Sequence, residues 1–185
     1  MQLHILKGYI QNIYLVEYDH GLMLLDGCSR CDVKTITGFI EQSLQRPLAD
    51  LKLVVVTHMH PDHAGAAHAL RKITGCQIAS GRAERHWYAG LSGWLMHLTD
   101  IMLSLYVARR TGQPMKNMWY PRYLRPDILL DDDDLIPGFE QWRVYETHGH
   151  TDRDISLMHE PTQRIYVADL IVKVRNKFIT PFPLF

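Results

Sequence analysis

One stretch constrains this chain more than any other. Leu51–Val56 is an apolar run broken by a single lysine, and His58-x-His60-x-Asp62-His63 follows it at once. A run of that kind suits a strand buried on both faces. The cluster then sits on the loop leaving the carboxyl end of a central strand, where α/β sheets place their functional sites. On an irregular loop, residues two apart can turn their side chains to the same side, so His58 and His60 can meet on one ion. Asp62 and His63 are neighbours whose side chains diverge, and they more naturally serve a second ion beside the first. Imidazole with carboxylate suits zinc, and also iron or manganese. A chance run of polar loop residues is the bland alternative, and the later motifs weigh against it.

Those motifs lie in the last third. A strand over Trp142–Thr147 is followed by His148-Gly149-His150-Thr151, and Asp169 closes a strand read over Arg164–Ala168. With His58 and His60, His150 gives three protein ligands and a position open to water, the composition of a catalytic zinc site. Asp169 can join two ions through its two oxygens, and a pair about 3.5–4 Å apart can hold a hydroxide between them. His148, beside the ligand, reads as a solvated histidine.

The remainder alternates strands with helices, which argues for an α/β class. Short strands are expected at Leu3–Ile10, Ile13–Tyr18 and Leu22–Leu25, with Asp19-His20-Gly21 as a hairpin turn and Asp26-Gly27 as another turn. Helical spacing over Asp32–Leu44 makes Asp32 a candidate N-cap. Ala64–Ile73 reads as a helix, Gln77–Ser80 as a strand, and Ile155–His159 as a strand joined to the one that Asp169 closes. Leu91–Val107 is a long apolar helix that Arg109, Arg110 and Thr111-Gly112 terminate. Ser92, Gly93, His97, Asp100 and Ser104 interrupt it, which speaks against a membrane span. It reads as a helix packed on the core or at a dimer interface, or as a cap giving substrate an apolar wall. Asp131–Asp134 reads as a solvated turn, because consecutive carboxylates in an extended chain point apart. The closing Phe182-Pro183-Leu184-Phe185 is apolar and carries no stop signal.

With 185 residues the chain suits one domain, residues 1–185, with a helical cap over about 82–125. Its formal net charge is zero, so it has no global preference for nucleic acid or anionic membranes. Cys28, Cys31 and Cys76 are too few for a disulfide framework, and Cys28-x-x-Cys31 lacks the second pair of a zinc ribbon. The N-terminus has no basic start, long apolar stretch or cleavage site, so a cytoplasmic location is the expectation.

The motifs resemble the metallo-β-lactamase superfamily. The resemblance rests on Thr57-His58-Met59-His60-Pro61-Asp62-His63-Ala64-Gly65, on Gly149-His150-Thr151, on Ala168-Asp169 in place of the family's usual Gly-Asp, and on Leu24-Leu25-Asp26-Gly27. It runs from about Ile13 to Leu170. It implies an αββα sandwich with the metals at one edge between the sheets. His58, His60 and His150 would hold one ion, and Asp62, His63 and Asp169 a second, with Asp169 bridging. Asp26 would be a buried carboxylate supporting the ligand loop. The family's usual last metal-site histidine is missing, since no histidine follows His159, and its C-terminal strand and helix are also expected to be absent. Asp152-Arg153-Asp154 replaces the common Pro-Gly-Ser. The implied function is a metal-dependent hydrolase that uses metal-bound hydroxide on an ester, thioester or lactone-type carbonyl of a small molecule, with Asp62 orienting the nucleophile and shuttling a proton. Zinc, one or two ions, is the expected cofactor. A phosphodiesterase or nuclease is the second reading, and the neutral charge gives it little support. A di-iron centre working with a flavin partner is the third, and a metal-poor chain that only binds the fourth. A homodimer is left open.

Overall fold

The computed structural model describes residues 1–82, 87–174 and 176–181, so the closing residues 182–185 lie outside the described residues. Strands β1 (Gln2–Lys7), β2 (Asn12–Tyr18) and β3 (Gly21–Leu25) pair antiparallel in chain order. β1 stops at Lys7, short of the expected Ile10, because Gly8 N–H turns back to the Gln11 carbonyl. Helical chain follows from Arg30 to Ser43, with α1 (Val33–Gly38) at its centre. Asp32 does not cap α1 with its side chain. Its buried carboxylate instead accepts the main-chain N–H of Tyr9 at 2.9 Å and of Ser29 at 3.3 Å. β4 (Leu51–Val56) then pairs parallel with β3.

The helix expected over Ala64–Ile73 is two pieces, α2 (Pro61–Ala64) and α3 (Ala67–Thr74). The break has a local cause. Ala66 N–H reaches the carbonyls of Gly27 and Cys28, and a side chain at Gly65 would collide with the Pro61 carbonyl and the Arg30 amide. β5 (Gln77–Gly81) pairs parallel with β4, and β6 (Ile128–Leu130) with β5, which completes a six-stranded sheet. The long α4 (Gly90–Arg110) lies between those two strands in sequence. The second sheet has four strands: β7 (Leu135–Ile136), β8 (Phe139–Glu146), β9 (Ile155–His159) and β10 (Arg164–Tyr166), all antiparallel. β10 stops at Tyr166, and Ala168–Leu170 is a helical turn, so Asp169 stands past the strand rather than closing it. β11 (Val172–Val174) and β12 (Lys177–Ile179) form a separate hairpin.

β4 explains the layering. Val54 and Val56 join a core with the helical chain of Arg30 to Ser43 and with α3, through Ile36, Ile40 and Leu70. Leu53 and Val55 point the other way and pack on Trp142, Val144, Ile155 and Leu157 of the second sheet. Each such side chain contributes roughly 1.5–3 kcal/mol when fully buried. With five of its six residues buried, β4 is a fixed post for the loop that follows it. Helices, first sheet and second sheet therefore stack in that order, the α/β sandwich expected. Ile165 is half exposed on the outer side of the second sheet, and no described helix covers it.

Candidate metal centre

The loop leaving β4 carries His58 and His60, and α2 carries Asp62 and His63. His150 comes from the loop between β8 and β9, and Asp169 from the turn after β10. Chain segments more than ninety residues apart thus meet at one edge between the sheets. The rings of His58 and His60 lie 4.7 Å apart, His58 and His63 4.0 Å, and His60 and His150 4.8 Å. One ligand atom from each of His58, His60, His150 and Asp169 falls within 4.8 Å of all the others. His60 Nδ1 and His150 Nε2 are 3.0 Å apart, close to the separation of about 3.3 Å that two nitrogens on one tetrahedral zinc adopt.

The carboxylates complete a second group. His63 Nε2 lies 3.3 Å from Asp169 Oδ1 and 3.7 Å from Asp62 Oδ2, while Asp169 Oδ2 lies 3.7 Å from His150 Nε2. Asp169 therefore presents one oxygen to each group. The sequence singled out these six side chains, and the fold brings all six together. His148 points away, half exposed, and pairs with Glu146. Asp131–Asp134 forms a turn whose carboxylates take Arg82, Arg143 and main-chain amides. Cys28, Cys31 and Cys76 are all free thiols, and burial pushes each upward in pKa.

Asp26 organises the histidines from below. It is fully buried at the end of β3, where it accepts Thr57 N–H and, through Oδ2, the hydroxyls of Thr57 at 2.9 Å and Tyr166 at 2.9 Å. The same oxygen is 2.6 Å from His63 Nδ1. That contact leaves His63 Nε2 to face Asp62 and Asp169. A relay does the same for His58. The Thr57 hydroxyl, committed as donor to Asp26, accepts from His58 Nδ1 at 3.1 Å, so His58 Nε2 is left with its lone pair. One carboxylate thus fixes the orientation of two imidazoles, the arrangement that metal-binding histidines require.

Several supports were not visible as motifs. Asp154 bonds the Thr151 amide at 2.6 Å and its hydroxyl at 2.7 Å, closing the loop that carries His150. The altered Asp152-Arg153-Asp154 segment therefore rebuilds this loop. The carbonyl of Met59, between His58 and His60, accepts the hydroxyls of Tyr120 at 2.5 Å and Tyr88 at 3.2 Å. Tyr88 in turn bonds Asp100 of α4 at 2.8 Å. Gln11 donates its side-chain amide to the Asp62 carbonyl. Apart from Asp154 with Thr151, three residues away, none of these pairs is close enough in sequence to leave a pattern.

The electrostatics suit cations. Burial holds His58 well below the usual histidine range, and it holds His60 at about 3, with help from the neighbouring imidazoles. Burial works against protonation of His63 too, but Asp26, Asp169 and Asp62 outweigh it and raise His63 well above that range. Asp169 is held at about 2, where His63, His150 and His60 overcome the opposing effect of burial. His58 Nε2 and His63 Nε2 are buried and have no hydrogen-bond partner, while His60 Nδ1 and His150 Nε2 meet only each other. Buried polar atoms are normally paired, and four imidazole nitrogens gathered in this way beside two carboxylates fit a divalent cation. A cleft of about 820 Å³ opens above these groups, walled by Leu103, Ser104 and Val107 of α4 and by Ile171 and Val174 across from them.

The sequence model of the metallo-beta-lactamase superfamily matches residues 6–184. The chain is 21% identical over 177 residues to a probable metallo-hydrolase, YflN, of Bacillus subtilis (strain 168), covering 94% of this chain and 66% of that protein. It superposes on the class B3 di-zinc metallo-beta-lactamase LRA-12 from an Alaskan soil metagenome with a TM-score of 0.60 at 21% identity, covering 95% of this chain and 56% of that one. A metallo-beta-lactamase of Cronobacter sakazakii gives 0.61 at 18% identity, over 84% of this chain and 53% of that one. The chain thus spans just under two thirds of the curated relative and a little over half of each solved structure.

Proposed function

The chain belongs to the metallo-beta-lactamase superfamily, and from that premise we propose that it is a zinc-dependent hydrolase of a small, partly apolar ester, thioester or lactone. The observation that carries this reading is the convergence of four histidines and two aspartates, with buried unpaired nitrogens, at the floor of a wide cleft. His58, His60 and His150 would hold one ion, and Asp62, His63 and Asp169 a second. A bound divalent cation supplies acidity to water at neutral pH and polarises a carbonyl oxygen.

The chain's own groups do the rest. Asp26 keeps Nε2 of His58 and His63 facing inward. Asp62 lines the cleft with its side chain 18% exposed, so its carboxylate can take a proton from entering water and pass it to a leaving group. Leu103, Val107, Ile171 and Val174 exclude water and receive the apolar part of the substrate. Lys7 and Lys173 at the cleft's margins suit a substrate with an anionic end.

The test is metal content per chain with turnover on a panel of nitrophenyl esters, thioesters, lactones and a phosphodiester. Carbonyl substrates should turn over, chelation should abolish the reaction, zinc should restore it, and His60→Ala should lose it with the circular dichroism spectrum unchanged. Fewer than one ion per chain with no turnover on any substrate would sink the proposal, and turnover of the phosphodiester alone would replace it.

A further inference from the structure

Helix α4 buries polar groups and exposes apolar ones. Its inward stripe is Gly93, His97, Asp100, Ile101, Ser104 and Ala108, which includes its one histidine and its one carboxylate. Its outward stripe is apolar: Leu91, Leu95, Met102 and Tyr106 stand 74%, 52%, 70% and 58% exposed. Among the described residues, ten of the twenty exposed large apolar side chains fall between Leu91 and Tyr123. Leu103 and Val107 carry this surface over the lip and into the cleft. Across the cleft, Ile171 and Val174 are half exposed, and the exposed Ile179 of β12 shares the face of Val174. The mouth of the candidate site is therefore rimmed by apolar side chains on both sides.

Charge is just as one-sided. Between Asp100 and Asp127 the sequence holds Arg109, Arg110, Lys116, Arg122 and Arg125 and not one carboxylate. Lys173 lines the cleft, and Lys177 follows it at the start of β12. Trp94 and Trp119 are both substantially exposed, the amphipathic rings that settle at a membrane–water boundary. Exposed apolar and aromatic residues flanked by cations are the composition of a surface that lies in a bilayer interface.

We propose that this face docks on an anionic lipid bilayer, with α4 in the plane of the interface and the cleft mouth turned toward the lipid. The corollary, that an amphipathic ester enters from the bilayer, rests on the hydrolase reading above; the docking itself does not. α4 is long and apolar enough to cross a membrane, but its inner face is tied down. Asp100 is bonded to Tyr88, and Gly93 lies so close to the Tyr88 main chain that no side chain fits between them. A second copy is a poorer occupant. Two parallel α4 helices would set Arg109 and Arg110 against their own copies. Two antiparallel ones would bring them to the other end, where Arg122 holds the Gly90 carbonyl. Cations meet cations either way, and such juxtaposition opposes association. Anionic headgroups meet them favourably.

The test is flotation of the full chain with phosphatidylcholine vesicles, with and without phosphatidylglycerol, at low and high salt. Binding should be at least about tenfold stronger to the anionic vesicles and should fall with salt. Arg109→Glu/Arg110→Glu should lose that gain, and Met102→Glu should weaken binding throughout. All three positions are exposed and lie outside the cleft, so metal content and turnover of a water-soluble ester should stay as in the unmodified protein. Absence of vesicle binding, or binding indifferent to headgroup charge and to the double variant, overturns the proposal. So does a dimer that Met102→Glu dissociates in a chain that ignores vesicles. Flotation is read with and without metal, so a failed turnover assay bears on the hydrolase reading and a failed flotation on this one.

Discussion

At the scale of single residues, Asp26 is where burial and metal chemistry meet. A buried carboxylate is costly unless donors surround it, and here Thr57, His63 and Tyr166 do so. Asp26→Asn turns one accepting oxygen into a donor and disturbs the tautomers of His58 and His63 together. Zinc affinity, read by competition with a chromophoric chelator, should fall about 10–100-fold. Ala168 offers the opposite experiment. Its φ of +44° lies in the left-handed region that disfavours a side chain, directly before Asp169. Ala168→Gly should stabilise the chain by about 1 kcal/mol, a gain of roughly 2–4 °C in melting temperature for a chain of this size. An unchanged or lower melting temperature would show that the turn bears no strain. The histidines set the acid limit of the metal-free chain. An unfolded histidine takes a proton near 6.5, while His60 in the fold resists until about 3 and His58 resists as well. Between those values the unfolded state binds more protons, so stability falls as pH falls through that window. His63 does not offset this loss, because the stabilisation from its raised pKa is already complete below 6.5. Urea unfolding of the chelator-treated chain should therefore show midpoints that drop steadily on acidification below about 6.5, and a midpoint flat down to about 4 would contradict the burial of these rings.

At the scale of elements, the link between α4 and the β4 loop decides whether the cap is a bystander. Tyr120 and Tyr88 hold the Met59 carbonyl, and Tyr88 connects that grip to Asp100 on α4. Tyr120→Phe keeps the ring in place and removes the donor. The weakened grip should cost about 1–2 kcal/mol in chemical denaturation, the scale for a buried group left short of a partner. Because Met59 lies between two ligands, zinc affinity should weaken in the same variant; full stability with unchanged affinity would make the clamp ornamental. The sequence shows α4 but not its orientation. Gly93, His97, Asp100 and Ser104 interrupt the apolar run at helical spacing, which speaks against a membrane span and leaves the buried face unassigned. The fold turns that stripe inward because Tyr88 and Tyr120 wait there for Asp100 and His97. A helix pattern records which residues share a face, and only the surroundings decide which face is buried. β4 was legible for the converse reason: five of its six residues are buried whichever sheet face they take, so no orientation had to be guessed.

At the scale of the whole molecule, the candidate site divides into local and assembled parts. His58, His60, Asp62 and His63 are adjacent, and their chemistry could be read from spacing alone. His150 and Asp169 could be named as ends of strands, yet their approach to His60 and His63 exists only because the second sheet packs on Leu53 and Val55. Tyr166, Tyr88 and Tyr120 left no signal, since each acts on a partner that no spacing rule connects to it. An assembled centre ties metal to folding. The unfolded chain holds no preformed site, so the free energy of binding an ion adds to the stability of the sandwich. Zinc held at a hundred times its dissociation constant should stabilise the chain by about 2.7 kcal/mol, which corresponds to roughly 5–10 °C for a chain of this size. Removing the metal with a chelator should reverse that gain in a thermal melt, and adding zinc back should restore it. The gain should shrink in His150→Ala, which takes one ligand from the second sheet and leaves the β4 loop whole. If His150→Ala instead keeps the full zinc-dependent rise, the ion is held by the local cluster alone and the two sheets do not share it.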